Sequence, residues 1–226
     1  MKYLFIAAAA LLVTTGSSMA QDWSGAYAGI HAGGLWGKVD VRNDYVGAPD
    51  PTSYHVNGGL GGATIGYNYQ AGNILAGVEG SLGYLAPSGS GVIGSADAQY
   101  HQDLTLDGGL YGDLTGRVGF VVNQTLLYGK GGAAFFAGKA KQATTKPDYT
   151  STGTDTFVGW TVGAGVEHMI VENVSVKAEY QHYGFGEQRG YQTSIIGDQW
   201  SPGGTEFDNY TKLGFDTVKV GINLHF

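Results

Sequence analysis

The chain has 226 residues, of which 40 are Gly, 15 Tyr and none Cys, with 12 Lys and Arg against 19 Asp and Glu. A net charge of -7 argues against nucleic acid as a partner, because phosphate binding needs a basic surface, and the lack of Cys excludes disulfide stapling. Glycine at this density, spread through alternating runs, suits curved and tightly packed strands.

Residues 1–20 carry one charge at Lys2, an apolar run from Tyr3 to Val13, and small residues leading to Ser18-Met19-Ala20. This is the pattern of a signal peptide cleaved after Ala20, which leaves residues 21–226 as a single domain. The apolar run is too short to span a bilayer comfortably, and no later segment holds eighteen consecutive apolar residues. Membrane residence, if any, must be through strands.

In chain order, the periodicity predicts a first strand near Ala26 to Trp36. Hairpins follow at Gly58 to Gln70 with Ile74 to Ala86, Leu110 to Val122 with Thr125 to Ala137, and Phe157 to Ile170 with Val174 to Gly186, before a last strand near Lys212 to Phe226. Tight connections join each pair. Between pairs lie long polar stretches, Gly37 to Asn57, Pro87 to Gly109, Gly138 to Thr156 and Glu187 to Thr211, of a length that is functional or mobile in compact domains. The expectation is an all-β, eight-stranded antiparallel up-and-down transmembrane β-barrel, with short periplasmic turns and four long extracellular loops.

Parity assigns the faces. Val218, Val220, Ile222, Leu224 and Phe226 alternate with Lys219, Gly221, Asn223 and His225, which requires one apolar and one polar medium. Across the strands the polar parity collects Glu79, Asp113, Arg117, Lys130, Glu167, Lys177, Glu179 and Lys219. Four acids and four bases suit an ion-pair network in a narrow lumen, where unpaired charge would be costly. Trp23, Tyr27, Tyr67, Tyr69, Phe120, Tyr128 and Phe226 cluster at one set of strand ends. Trp36, Tyr84, Tyr111, Phe135, Phe157, Trp160, Tyr183, Phe185 and Phe215 cluster at the other, as two interfacial girdles would.

Several segments carry a family resemblance: Trp23-Ser24-Gly25-Ala26-Tyr27-Ala28-Gly29, Gly66-Tyr67-Asn68-Tyr69-Gln70 running into Ala76-Gly77-Val78-Glu79-Gly80, and Gly116-Arg117-Val118-Gly119-Phe120. Leu126 to Ala134, Gly163 to Glu167 and Lys177-Ala178-Glu179-Tyr180 follow in order. The mature chain resembles the small outer-membrane immunogenic-protein family of eight-stranded barrels, often labelled porin-family. The resemblance implies residence in the outer membrane of a Gram-negative bacterium, contact with its lipid, and a structural or surface-antigen role serving envelope integrity and loop-mediated binding. A narrow channel for small solutes or ions is the alternative, and haemin binding, known like contact with a host in some members, is a further one. It implies no catalytic activity and no cofactor. Ile222, Leu224 and Phe226 resemble the family's assembly signal, through which the last strand would meet the barrel assembly machinery.

An eight-stranded barrel is just wide enough for side chains to fill it, so the lumen charges read as a plug in preference to an ion path. None of the six histidines has metal-ligand spacing. His55 and His101 fall in the predicted loops with Asp97, Asp103 and Asp107, where isolated polar residues are usually just solvated. The loops also hold Tyr45, Tyr54, Tyr100, Tyr149, Tyr191, Trp200 and Tyr210. His55, His101, Tyr100 and Trp200 are the candidate ligand contacts there, since loops on a rigid scaffold carry function.

Overall fold

Backbone N–H and C=O groups find no water inside a hydrocarbon layer, so strands that cross one must close on themselves. The computed structural model, which describes residues 22–43, 52–88, 90–93, 102–144, 150–192 and 207–226, has that closure. Its strands are β1 (Gly25–Asn43), β2 (Thr52–Ala71), β3 (Ile74–Ser88), β4 (Ser90–Ile93), β5 (Gln102–Val122), β6 (Thr125–Thr144), β7 (Thr150–Val171), β8 (Val174–Gln192) and β9 (Phe207–His225). The order β3-β2-β1-β9-β8-β7-β6-β5-β4, with a further β3–β5 ladder, joins the two ends of the sheet, and every pairing is antiparallel. β4 continues the stave begun by β3: Leu85 faces Gly109 on β5, and Ser90 faces Thr105 a few residues on. The barrel therefore has eight staves.

Three two-residue turns, Gly72-Asn73, Asn123-Gln124 and Glu172-Asn173, close one end. Gly72 has φ +62° and Asn123 φ +56°, the left-handed first position that matches hairpin twist and that Gly and Asn tolerate best. The third turn has no such residue, and a register shift between Met169 and Val171 takes up the extra residue as a bulge. At the same end Trp23 N donates to Gln70 Oε1 at 2.9 Å and Gln70 N to Ser24 Oγ at 3.1 Å, tying the entering chain to the first turn. Ser24 N in turn donates to Asp22 Oδ1 at 2.9 Å, which lowers the Asp22 carboxyl below its ordinary range. The seam is completed by Phe226 N to Ala26 O at 2.9 Å and His225 N to Asn173 O at 2.8 Å.

At the other end the ladders outrun the sequence expectation. β5 begins at Gln102, not Leu110, β6 runs to Thr144, and β7 begins at Thr150. Lys38 still pairs with His55, and Val41 with Thr52, inside what reads as loop. Above the lipid neither face needs to be apolar, so alternation fades while backbone pairing continues. The predicted long connections are correspondingly shorter than the sequence suggests.

The two faces of the wall differ sharply. Ile30, Ile65, Leu114, Val158 and Val220 point outward and are 61–68% exposed, an apolar belt that only lipid or a partner would cover. Inside, three tiers succeed one another. Trp23, Leu75, Val121, Leu126, Tyr128 and Met169 pack at the turn end, and charged and polar side chains fill the middle. Leu35, Leu60, Tyr111, Phe136, Tyr183, Phe185 and Phe215 are among those that pack toward the loop end. Tyr183 and Phe215 stack there at 4.9 Å, and Phe185 lies 5.5 Å from Phe215.

The girdle expectation is corrected by this packing. Tyr67, Tyr69, Phe120, Phe226, Trp36, Tyr84, Phe135 and Trp160 do face outward, but Trp23, Tyr27, Tyr128, Tyr111, Phe157, Tyr183, Phe185 and Phe215 are buried in the lumen. The inward aromatics occupy space left by glycines on neighbouring strands. Tyr27 stands opposite Gly66, where a Cβ would collide with its ring, and Tyr128 opposite Gly165, where a Cβ would lie 2.6 Å from its Cζ.

Candidate functional site

The middle tier is built from the inward parity of β3, β5, β6, β7, β8 and β9. Glu79 is its hub: its carboxylate lies 2.6 Å from Lys130 Nζ, 3.3 Å from Lys177 Nζ and 3.5 Å from Arg117 Nη1, and accepts the Tyr27 hydroxyl at 2.9 Å. A second carboxylate, Glu179, receives Lys219 at 2.8 Å, Lys130 at 3.1 Å and the Tyr128 hydroxyl at 2.9 Å. Arg117 bridges the tier, reaching Glu167 at 3.2 Å and donating from Nε to Asn68 Oδ1 at 2.9 Å. Its guanidinium sits 4.4 Å from the Tyr27 ring centre and 5.3 Å from that of Tyr128, a cation–π arrangement on both flanks. All of these side chains are essentially inaccessible. Four cations share three carboxylates here, and Arg117 Nη2 has no hydrogen-bond partner among the described residues. The ion pairs offset much of the desolvation cost, and removing one carboxylate would strand the cations it serves.

Asp113 shares the inward parity but not the network. It lies nearer the loop end on β5, accepts the Tyr183 hydroxyl at 2.9 Å, and makes no ion pair among the described residues; its Oδ1 has no hydrogen-bond partner there. Parity placed it inside; its axial level separates it from Arg117 and the lysines. Lys219 links the two levels, donating to Gln181 Oε1 and lying 3.5 Å from Tyr183 Oη. His31 is fixed close by, with Nδ1 3.0 Å from Thr64 Oγ1 and Nε2 2.5 Å from Tyr111 Oη.

A Ser, His and Glu meet at the turn end in a group that the sequence reading missed. Ser175 Oγ lies 2.5 Å from Glu167 Oε1 and 2.9 Å from His225 Nε2, while His225 Nε2 is 3.4 Å from the same Glu oxygen. A charge-relay triad holds the imidazole by its other nitrogen and leaves the hydroxyl facing substrate. Here the carboxylate takes the hydroxyl itself and Ser175 is wholly buried. Asn223 Nδ2 donates to Glu167 at 2.6 Å, Trp23 packs edge-on to His225 at 5.3 Å, and Tyr27 stacks on it at 5.6 Å. The geometry is that of a bolt between β7, β8 and β9.

The remaining candidates are scattered. His55 is exposed at the loop end, opposite Lys38; Tyr100, His101 and Trp200 lie outside the described residues, as do residues 1–20. Ile222, Leu224 and Phe226 form an outward row, 51%, 41% and 74% exposed. A second His–carboxylate pair sits on the outer face: His182 Nδ1 is 2.8 Å from Asp216 Oδ1, which also accepts the Tyr180 hydroxyl at 2.6 Å. Only the register, His182 opposite Asp216, brings these two together. Among the described residues no group of three or more His, Cys, Asp or Glu side chains is placed to hold a metal.

Known proteins place this architecture. The chain is 31% identical to a 22 kDa outer membrane protein of Rhizobium leguminosarum bv. viciae, over 92% of this chain and 80% of that one. It is 30% identical to a 31 kDa outer-membrane immunogenic protein of Brucella melitensis, over 91% and 84%. Among solved structures the outer membrane protein OprG of Pseudomonas aeruginosa shares the fold, with a TM-score of 0.53 at 11% identity over 90% of this chain and 98% of that one. A family model described as the outer membrane protein beta-barrel domain matches residues 5–226, and the chain belongs to that family as an outer-membrane surface barrel of a Gram-negative bacterium.

Proposed function

We propose that the protein is a closed structural barrel that anchors surface loops in the outer membrane, with neither a conducting lumen nor a catalytic role. The observation that carries this is the three-tier interior: an ion-paired layer held between two apolar layers, with Arg117, Glu79, Tyr183 and Phe136 each 1% exposed. An ion crossing it would have to part Lys130 from Glu79 and then cross the packed rings of Phe136, Phe185 and Phe215, both costly steps in a low dielectric. The buried bolt of Ser175 supports the non-catalytic half. The outward row Ile222, Leu224 and Phe226 offers the apolar surface an assembly partner would contact.

Planar-bilayer recording tests the reading. The refolded chain is expected to give no discrete conductance steps, and regular steps from the wild-type protein would overturn it. Haemin capture is the alternative, with His55 exposed on the rim. A haemin titration followed by absorbance, repeated with His55→Ala, tests that alternative.

A further inference from the structure

Two glycines face each other on the outer surface of β8 and β9, Gly184 and Gly214, and Gly214 also faces Lys38 of β1. Without side chains the wall is recessed there, forming a cavity of about 810 Å³ flanked by Trp36 and Trp160. Trp160 lies over Gly184, where a Cβ would come within 2.7 Å of its ring, and its ring centre is 5.3 Å from that of His182. On the turn side of the recess the outer face is apolar, with exposed Val162, Val218 and Val220. On the loop side stand the exposed lysines Lys38 and Lys212, with Asp40 between them and His55 at the rim.

We propose that this recess binds the anionic, phosphate-bearing headgroup of a lipid in the leaflet at the loop end. The gradient along the wall is that of a lipid molecule: hydrocarbon against the valines, the interfacial region between two tryptophans, and negative charge at the lysines. A soluble anion would have no use for the apolar lower wall. Lys38 is paired with Asp40 at 2.9 Å, but that pair is half-exposed and occupies one of three ammonium N–H donors. Lys38 and Lys212 both line the recess, with Asp40 opposite Lys212 across the β1–β9 ladder, and each lysine is a point charge on a flexible stem that can turn toward a phosphate. The His182–Asp216 pair, braced by Tyr180, gives the recess a hydrogen-bonding floor where a lipid-facing wall would otherwise offer none.

Native mass spectrometry of the full chain refolded in non-ionic detergent tests this. The probes are phosphatidic acid, phosphatidylcholine with the same acyl chains, and inorganic phosphate. Wild type is expected to bind the anionic lipid on the order of tenfold more tightly than the zwitterionic one. The Lys38→Gln, Lys212→Gln double variant should lose that preference. Gly214→Val should weaken both lipids by filling the recess; its Cβ meets only the Tyr183 carbonyl oxygen, at 3.8 Å, so the ladder is undisturbed. Heat modifiability on a gel checks that each variant is closed. Equal binding of the two lipids to wild type would overturn the proposal, as would a preference unchanged in the double variant. Displacement of the lipid by equimolar inorganic phosphate would also overturn it, by showing a plain anion site.

Discussion

Two histidine–carboxylate clusters occupy opposite faces of one wall. Inside, His225, Glu167 and Ser175 are locked by Asn223, Trp23 and Tyr27, and the Glu167 side chain is fully buried. Outside, His182 and Asp216 are close to one-third exposed, at 36% and 27% of the side chain, beside two tryptophans and an open recess. Both join an imidazole to a carboxylate and a hydroxyl, and the medium is what differs. In the lumen such a group has nowhere to go and becomes a fastener; on the outer face it keeps open surface.

The comparison breaks most severely at Glu79, the hub of the inner side. Glu79→Ala removes the carboxylate shared by Arg117, Lys130 and Lys177, and urea unfolding in detergent should show a loss of about 3–5 kcal/mol. A loss below about 1 kcal/mol would mean the inner charges rearrange as freely as surface ones. Glu167→Gln keeps the shape of the inner cluster but weakens its bonds to Arg117, Ser175 and Asn223. A cost of about 1–3 kcal/mol is expected, with the melting profile as readout. Asp216→Asn makes the matching change outside and should cost less than about 1 kcal/mol, because the pair is partly solvated. If the last two variants were equally destabilising, the distinction between fastener and open surface would fail.

The sequence made the faces of the barrel legible, because a two-residue period survives any tilt of the strands: Glu79, Arg117, Lys130, Glu167, Lys177, Glu179 and Lys219 can all be placed inward from their neighbours. Axial level is harder to read. Asp113 has the right parity but stands with Tyr183, and that depends on stagger between strands, which no single strand records. The inward aromatics were legible in principle, since Tyr27, Tyr111 and Tyr183 have polar-face parity. A rule about strand ends obscured that signal. The Ser175–His225 and His182–Asp216 contacts join residues 50 and 34 positions apart and exist only through register.

The seam has a kinetic consequence. Tyr27 pairs with His225 and Ile30 with Ile222, so the first stave waits for the last before its open edge is covered. Any shorter product exposes a ribbon with unsatisfied amides along two borders, prone to adhere to other extended chains. Closure is thus a late, long-range event, slow for entropic reasons, and a cell making this protein has reason to keep it escorted until its final residues arrive.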